Sequence, residues 1–324
     1  MANPSSRLGP GFGTSIKPEI LMPGAREHLR IVASGGSTDV RPTGPARAFG
    51  LKVAAPPAAG DENRESYTNG TSAAAALASR TCHKIHDALA EAYGTRFTEL
   101  SHHHRAVILK ALLVHPAKWP DDAAQLIRGT IGPADTKQHV RQKDNIRRFL
   151  GYGRVDGDDA VACASDRATF WATGEIGREQ SMVVEIPIPV CIHGQAKPHG
   201  IWATLAWFTP VHPGRRSYRA VRLGLFDPTE AKQLRIAPAK NQPDSNQTRR
   251  GTVISRRWDG KRAPVVVEGM TVRLVIQREP DAGSAVDDPV PFGLALSLAM
   301  PGVVDLYQQV QQRLAILNRA RVRV

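Results

Sequence analysis

The apolar positions follow two different rhythms along the chain. From residue 72 to about 93, Leu77, Ile85 and Leu89 recur near one face of a helix that Gly94 stops. Its first turns, Ala73 to Ala76, are small enough to let neighbouring backbone approach. A second helix is predicted over 101–114, where Val107, Ile108, Leu109, Leu112 and Leu113 form a broad apolar face and Pro116 ends it. Beyond Trp171 the period changes to two. Short strands are predicted over 182–186, 201–208, 218–226, 265–267, 271–277 and 292–300. Val221, Leu223 and Leu225 share one face, as do Val272, Leu274 and Ile276, and Leu294, Leu296 and Leu298. That alternation predicts an antiparallel β-sandwich with one wet face per sheet, its core filled by Trp171, Trp202, Trp207 and Phe208. Val303, Leu306, Tyr307, Val310, Leu314 and Leu317 then predict a C-terminal amphipathic helix.

The stretches between are less regular. Residues 1–66 hold one short apolar strand candidate, Ile20-Leu21-Met22, followed by a Gly/Pro/Ala-rich loop over 35–60. Residues 131–159 read as a polar connector with one short helical stretch. The expected division is 1–135, a connector over 136–170, and the sandwich with its helix over 171–324.

Composition narrows the function classes. A chain of 324 residues with 41% apolar content can pack two modest domains. No window is apolar enough to span a membrane and the first residues lack the regions of a signal peptide, so the expectation is a cytoplasmic protein with no membrane partner. Cys82, Cys163 and Cys191 are scattered and odd in number, which predicts buried free thiols in place of a disulfide framework or a zinc knuckle. A net charge of +13, with clusters at Arg249-Arg250, Arg256-Arg257, Lys261-Arg262 and Arg319 to Arg323, permits nucleic-acid binding. No nucleic-acid-binding signature accompanies it, so a solvated basic face is the default expectation. His83 and His86 share a helix face without an evident third ligand, and His102, His103 and His104 point in different directions on a helix. No metal site and no cofactor are expected.

One stretch carries chemistry. Gly70-Thr71-Ser72 runs straight into the Ala-rich helix and so places a hydroxyl where free N–H groups and the positive end of the helix dipole favour developing negative charge. Ser and Thr in front of a helix are also ordinary caps. Upstream, Gly9-Pro10 and Lys17-Pro18-Glu19-Ile20-Leu21-Met22-Pro23-Gly24 read as a turn, a short apolar segment and a Pro-Gly turn.

In order and content these motifs resemble the last catalytic-domain segments of the subtilisin-like serine peptidases, Ser-x-Gly-Pro, Lys-Pro-Asp-apolar-apolar-Ala-Pro-Gly and Gly-Thr-Ser-x-Ala. The sequence departs from the pattern at Glu19, Met22 and Ala76, where Asp, Ala and Pro are usual. The version found here is similar to a bacterial, intracellular branch whose gene tends to neighbour one for an AAA-type ATPase. The resemblance implies an α/β fold, the C-terminal part of a parallel-sheet domain carrying the Gly-Thr-Ser motif, followed by a jelly-roll-like sandwich. It implies Ser72 as nucleophile with its backbone N–H in the oxyanion hole, Gly70, Thr71, Pro23 and Gly24 as supporting residues, a polypeptide substrate, and an AAA-type ATPase as a candidate partner.

The family's Asp and His precede its Ser, with an oxyanion Asn between His and Ser. His28 is the sole histidine before Ser72 and has no His-Gly-Thr context; Asp39 and Asp61 follow it, and Asn3 is out of place. The catalytic Asp, His and Asn are therefore not expected among these residues. The chain reads as a truncated serine endopeptidase, inactive alone, arising from a downstream start, a remnant gene or a split enzyme. The reading from a different class is a non-catalytic protein- or nucleic-acid-binding module built on a subtilase remnant.

Overall fold

The computed structural model describes residues 6–56, 60–161, 167–214, 218–260, 270–279 and 286–303, with Leu306 and Gln308. The strand expected at 265–267, Cys163, Lys261-Arg262, Arg319 to Arg323 and nearly all of the expected C-terminal helix lie outside them. In chain order come two hairpins, β1 (Leu29–Ser34) with β2 (Ser37–Pro42) and β3 (Leu51–Ala54) with β4 (Glu65–Thr68). A helical block follows: α1 (Thr71–Tyr93), α2 (Thr95–Thr98), α3 (His102–Val114), α4 (Asp121–Ile131), α5 (His139–Leu150) and α6 (Gly157–Val161). The rest alternates β5 (Arg167–Ile176), β6 (Ser181–Pro187), β7 (His199–Trp207), β8 (Arg222–Leu225), β9 (Ile236–Pro238), the short α7 (Ser245–Thr248), β10 (Val253–Gly260), β11 (Thr271–Glu279) and β12 (Val290–Ala299).

Both long helices begin and end where the sequence places them. Gly94 (φ 53°) closes α1 by donating its N–H to Ala90. Ser101 caps α3 by accepting from the His104 N–H. Burial on α1 repeats every four residues, at Thr81, Ile85 and Leu89, which is one helix face.

Two antiparallel sheets pack face to face, one ordered β5-β12-β7-β10-β9 and the other β6-β11-β8. The expected alternation is visible in their shared core: Val221, Leu223, Leu225, Val272, Leu274, Ile276, Leu294, Leu296 and Leu298 are all buried. The expectation of one wet face per sheet does not hold for the five-stranded sheet. Its other face is covered by helices, because Ala206, Val253 and Ala295 point away from the sandwich into a second core with Ile85, Leu89, Phe97, Ile108 and Leu112. Packed cores therefore run across residue 135, where a boundary was expected. Gly293 makes this approach possible: a Cβ there would lie 2.4 Å from the Val107 carbonyl oxygen of α3.

Other expectations are corrected in the same way. Of the expected core aromatics only Trp207 sits in the sandwich core; Trp171 packs between Tyr93 and Phe97 on the helical side, and Phe208 is exposed beneath Lys110. Trp202 lies on the helical face, with the Arg257 guanidinium 4.6 Å and that of Arg167 5.8 Å from its ring centre. The loop expected over 35–60 includes all of β2 and β3. The expected polar connector contains α5, whose Ile146 and Leu150 form a third core with Trp119, Ala124 and Ile127 of the α4 side. No parallel sheet is formed among the described residues: Leu21 makes one parallel bridge to Arg154, because the segment finds a single neighbour in place of strands on both sides. No helix among the described residues is long and apolar enough to cross a membrane.

Of the basic clusters among the described residues, Arg256-Arg257 is turned inward, while Arg249 and Arg250 are exposed. Arg256 pairs with Asp227 at 2.6 Å and Arg249 with Glu279. Arg257 donates to the carbonyls of Pro116 and Ala117, just past the C-terminus of α3.

Between α3 and the sheet lies a buried imidazole. His115 shares hydrogen bonds with Thr204 at 3.0 Å and Ser297 at 2.7 Å. Burial, reinforced by Arg257 and Arg167, lowers its pKa from 6.5 to about 3. The unfolded chain therefore binds more protons between those two values. The residue's contribution to stability is whole above its unfolded pKa and is lost progressively as pH falls through that window, at up to about 1.4 kcal/mol per pH unit. Urea unfolding at about pH 7, 6 and 5 should show this slope, and His115→Gln should flatten it relative to the parent; equal slopes in the two proteins would show that the ring is charged in the fold.

Candidate active site

The residues around Ser72 are assembled by two turns that the sequence keeps far apart. Residues 16–24 run across the C-terminal end of α5, with the Leu21 N–H donating to Gly153 and the Val155 N–H to Leu21. That path delivers Pro23-Gly24 to the start of α1, where the Gly70 N–H donates to the Gly24 carbonyl at 2.8 Å. A Cβ on Gly24 would sit 2.8 Å from the Gly70 carbonyl oxygen, so glycine is what permits the approach. Gly70 itself has φ 103°, a conformation open to glycine and strained for other residues. Pro23, Gly24, Gly70, Thr71 and Ser72 are thus brought together.

Capping does not account for the Thr-Ser pair. The residue at the cap is Gly70, no side chain caps the helix, and Thr71 and Ser72 are already its first two residues. The N–H groups of the first turn are left pointing outward, as at any helix start, and no acidic side chain in that turn offsets the dipole. Ser72 is exposed. Among the described residues its hydroxyl has no hydrogen-bond partner. The site therefore has an accessible oxygen and uncommitted donors, and lacks a base. A serine hydroxyl is a weak nucleophile until a base removes its proton.

No described residue supplies that base. His28 is exposed, shares a hydrogen bond through Nδ1 with Thr43 at 2.9 Å and stacks on Phe49. Asp39 pairs with Arg41, and Asp61 accepts the Asn63 N–H. Several other histidines are engaged elsewhere. His83 and His86 both approach Asp87, at 3.5 and 3.3 Å. His104 turns to Thr173 and Glu175 while His102 and His103 pack on each other. Among the described residues no group of three or more His, Cys, Asp or Glu could hold a metal. Cys82 and Cys191 are half-buried and form no disulfide among the described residues, and burial raises the Cys82 pKa. The sequence reading did not foresee that Gly24 and Gly70 bond to each other; two glycines, each closing a turn, were the signal.

Gly24→Ala should therefore push the Gly70 loop away from its turn. The expected cost is about 1–3 kcal/mol in urea unfolding, against less than about 0.5 kcal/mol for Gly44→Ala, which meets nothing within 4 Å. Equal effects would show that the contact does not hold the loop.

Comparison with known proteins agrees on one part of the chain. A protein of Sinorhizobium fredii (strain NBRC 101917 / NGR234), called uncharacterized protein y4bN, is 22% identical over 337 residues, covering 96% of this chain and 70% of that protein. Two solved structures show weak likeness. The periplasmic inhibitor of g-type lysozyme PliG from Aeromonas hydrophila has 14% identity and a TM-score of 0.20, covering 43% of this chain and 92% of that one. The acidic stable capsid structure of Helicobacter pylori bacteriophage KHP30 has 11% identity and a TM-score of 0.22, covering 42% and 91%. At those scores neither bears on the fold. Residues 1–153, which hold both turns and Ser72 and end just past α5, match the Subtilase family.

Proposed function

We propose that residues 1–153 are the serine-bearing portion of a subtilisin-like serine endopeptidase. The observation that carries the reading is the uncapped start of α1, held by the Gly24–Gly70 bond, with Ser72 exposed in its first turn. The subtilase match over the same residues supports it. In the reaction the Ser72 Oγ attacks the scissile carbonyl while an imidazole takes its proton. The carbonyl electrons collapse back to expel the amine, which receives that proton, and water then releases the acyl group from Ser72. The Ser72 N–H at the positive end of α1 stabilises the oxyanion. The imidazole, the carboxylate that orients it and the second oxyanion donor come from polypeptide other than these 324 residues. An AAA-type ATPase is the proposed partner for substrate delivery.

The competing reading is a binding module, favoured by the β1–β2 hairpin, whose facing Ile31 and Val40 are 71% and 58% exposed. Supplying the chain with adjacent polypeptide that carries Asp-(Thr/Ser)-Gly and His-Gly-Thr segments separates the two. Hydrolysis of an unfolded protein substrate by the assembled pair, and by neither part alone, supports the peptidase. Stable assembly without hydrolysis supports the binding module.

A further inference from the structure

A second site is suggested by charge that the fold gathers and does not neutralise. Between α4, α5 and the turn after β9 lies a cleft of about 420 Å³ lined by Arg128, His139, Gln142, Lys143, Lys240 and Asn241, with Ile146 at its base. Every titratable group in this lining is cationic or becomes so on protonation. None of the four takes part in an ion pair among the described residues.

Of the carboxylates on the same elements, Asp135, Asp144 and Asp244 bond residues outside the lining, and Asp121 bonds Asn241 at its edge. Asp121 accepts from Asn241, Asp135 from the Lys137 N–H, Asp144 from Arg147 and Gln247, and Asp244 from the Asn246 N–H. His139 opens the twelve-residue α5, whose first turn carries no acidic side chain, so the positive end of its dipole adds to the same field. Like charges brought together on separate elements repel one another, and an anion seated between them removes that repulsion.

We propose that this cleft binds a small anion carrying two or more phosphate groups. Several separated cations suit an extended polyanion better than a single carboxylate. The volume is that of a small-molecule site, not of a track for a polymer. No aromatic ring of Phe, Tyr or Trp lines it to stack a base, which argues against single-stranded nucleic acid. Lys143 gives independent support: burial lowers its pKa, with Asp244 opposing, so its ammonium is one that an anion would relieve. The inference does not depend on Ser72 or on peptidase activity.

The test is calorimetric titration of the full chain with tripolyphosphate at about 0.15 M salt, where weak surface attraction is screened. Saturable binding with a dissociation constant of order 10 μM is expected, weakened at least about tenfold in Arg128→Gln/Lys240→Gln. Both positions are exposed, so the fold should survive, and an unchanged thermal midpoint without ligand checks it. Arg30→Gln/Arg96→Gln removes the same charge at exposed positions elsewhere and should bind as the parent does. Absence of saturable binding, equal weakening in the two double variants, or a single-stranded oligonucleotide that displaces tripolyphosphate from the parent and loses affinity in Arg128→Gln/Lys240→Gln would each overturn the proposal.

Discussion

Ser72→Ala in the assembled peptidase is expected to lower kcat by about a millionfold and leave KM within about twofold. The magnitude is that of subtilisin's own serine, not one derived from this chain. Its physical basis is the proposed acylation of the Ser72 Oγ: removing that oxygen removes the covalent pathway and leaves binding and oxyanion stabilisation. The exposure of Ser72 and its lack of any partner in the described residues mean that the substitution breaks no contact, so stability should change by less than about 0.5 kcal/mol. Initial rates across substrate concentration, with urea unfolding alongside, check both halves. A loss below about tenfold in kcat would place the nucleophile elsewhere.

Gly293→Ala is expected to cost about 3 kcal/mol or more. Its Cβ would stand 2.4 Å from the Val107 carbonyl oxygen and 2.5 Å from the carbonyl carbon, and backbone cannot rotate away as a side chain can. The strain falls where α3 rests on the five-stranded sheet, so relieving it means lifting the helix from the core shared by Ile108, Ala206 and Ala295. Gly129→Ala is the contrast. It lies inside α4 with nothing within 4 Å of its Cβ, and alanine is the better helix former, so it should stabilise by about 0.5–1 kcal/mol. Urea midpoints at a common slope compare them. A cost below about 1 kcal/mol at Gly293 would mean that the helices and the sandwich do not pack as described.

How much the sequence revealed depended on whether a signal was local. Gly94 and Pro116 end their helices through backbone chemistry that no distant residue alters, and both ends came out as expected. Alternation at Val272, Leu274 and Ile276 identified a half-buried strand for the same reason. It could not reveal that β7 and β12 are buried on both faces, because Ala206 and Ala295 are small residues whose burial depends on α3 lying over them. Arg256 and Arg257 of β10 were legible only as a cluster of charge: Arg256 is paired with Asp227 and Arg257 is hydrogen-bonded to carbonyls more than a hundred residues away, which only folding discloses. α5 was reduced to a short stretch within a connector because Arg147 and Arg148 mask its buried face, although Ile146 and Leu150 stand four apart. At the candidate site, Ser72 and both Pro23-Gly24 and Gly70-Thr71 were legible as motifs. Their joining through the Gly24–Gly70 bond was not, since it needs residues 16–24 to be steered there by Gly153 and Val155.

Ser72 is proposed as a nucleophile whose base is provided by other polypeptide. Labelling with a fluorophosphonate, which reports only an activated serine, tests it directly. The isolated chain should label no more than its Ser72→Ala variant, and the chain assembled with the Asp- and His-bearing segment should carry the label on Ser72 by peptide mass spectrometry. Strong, Ser72-specific labelling of the isolated chain, or labelling of the assembled protein that persists in Ser72→Ala, would contradict it.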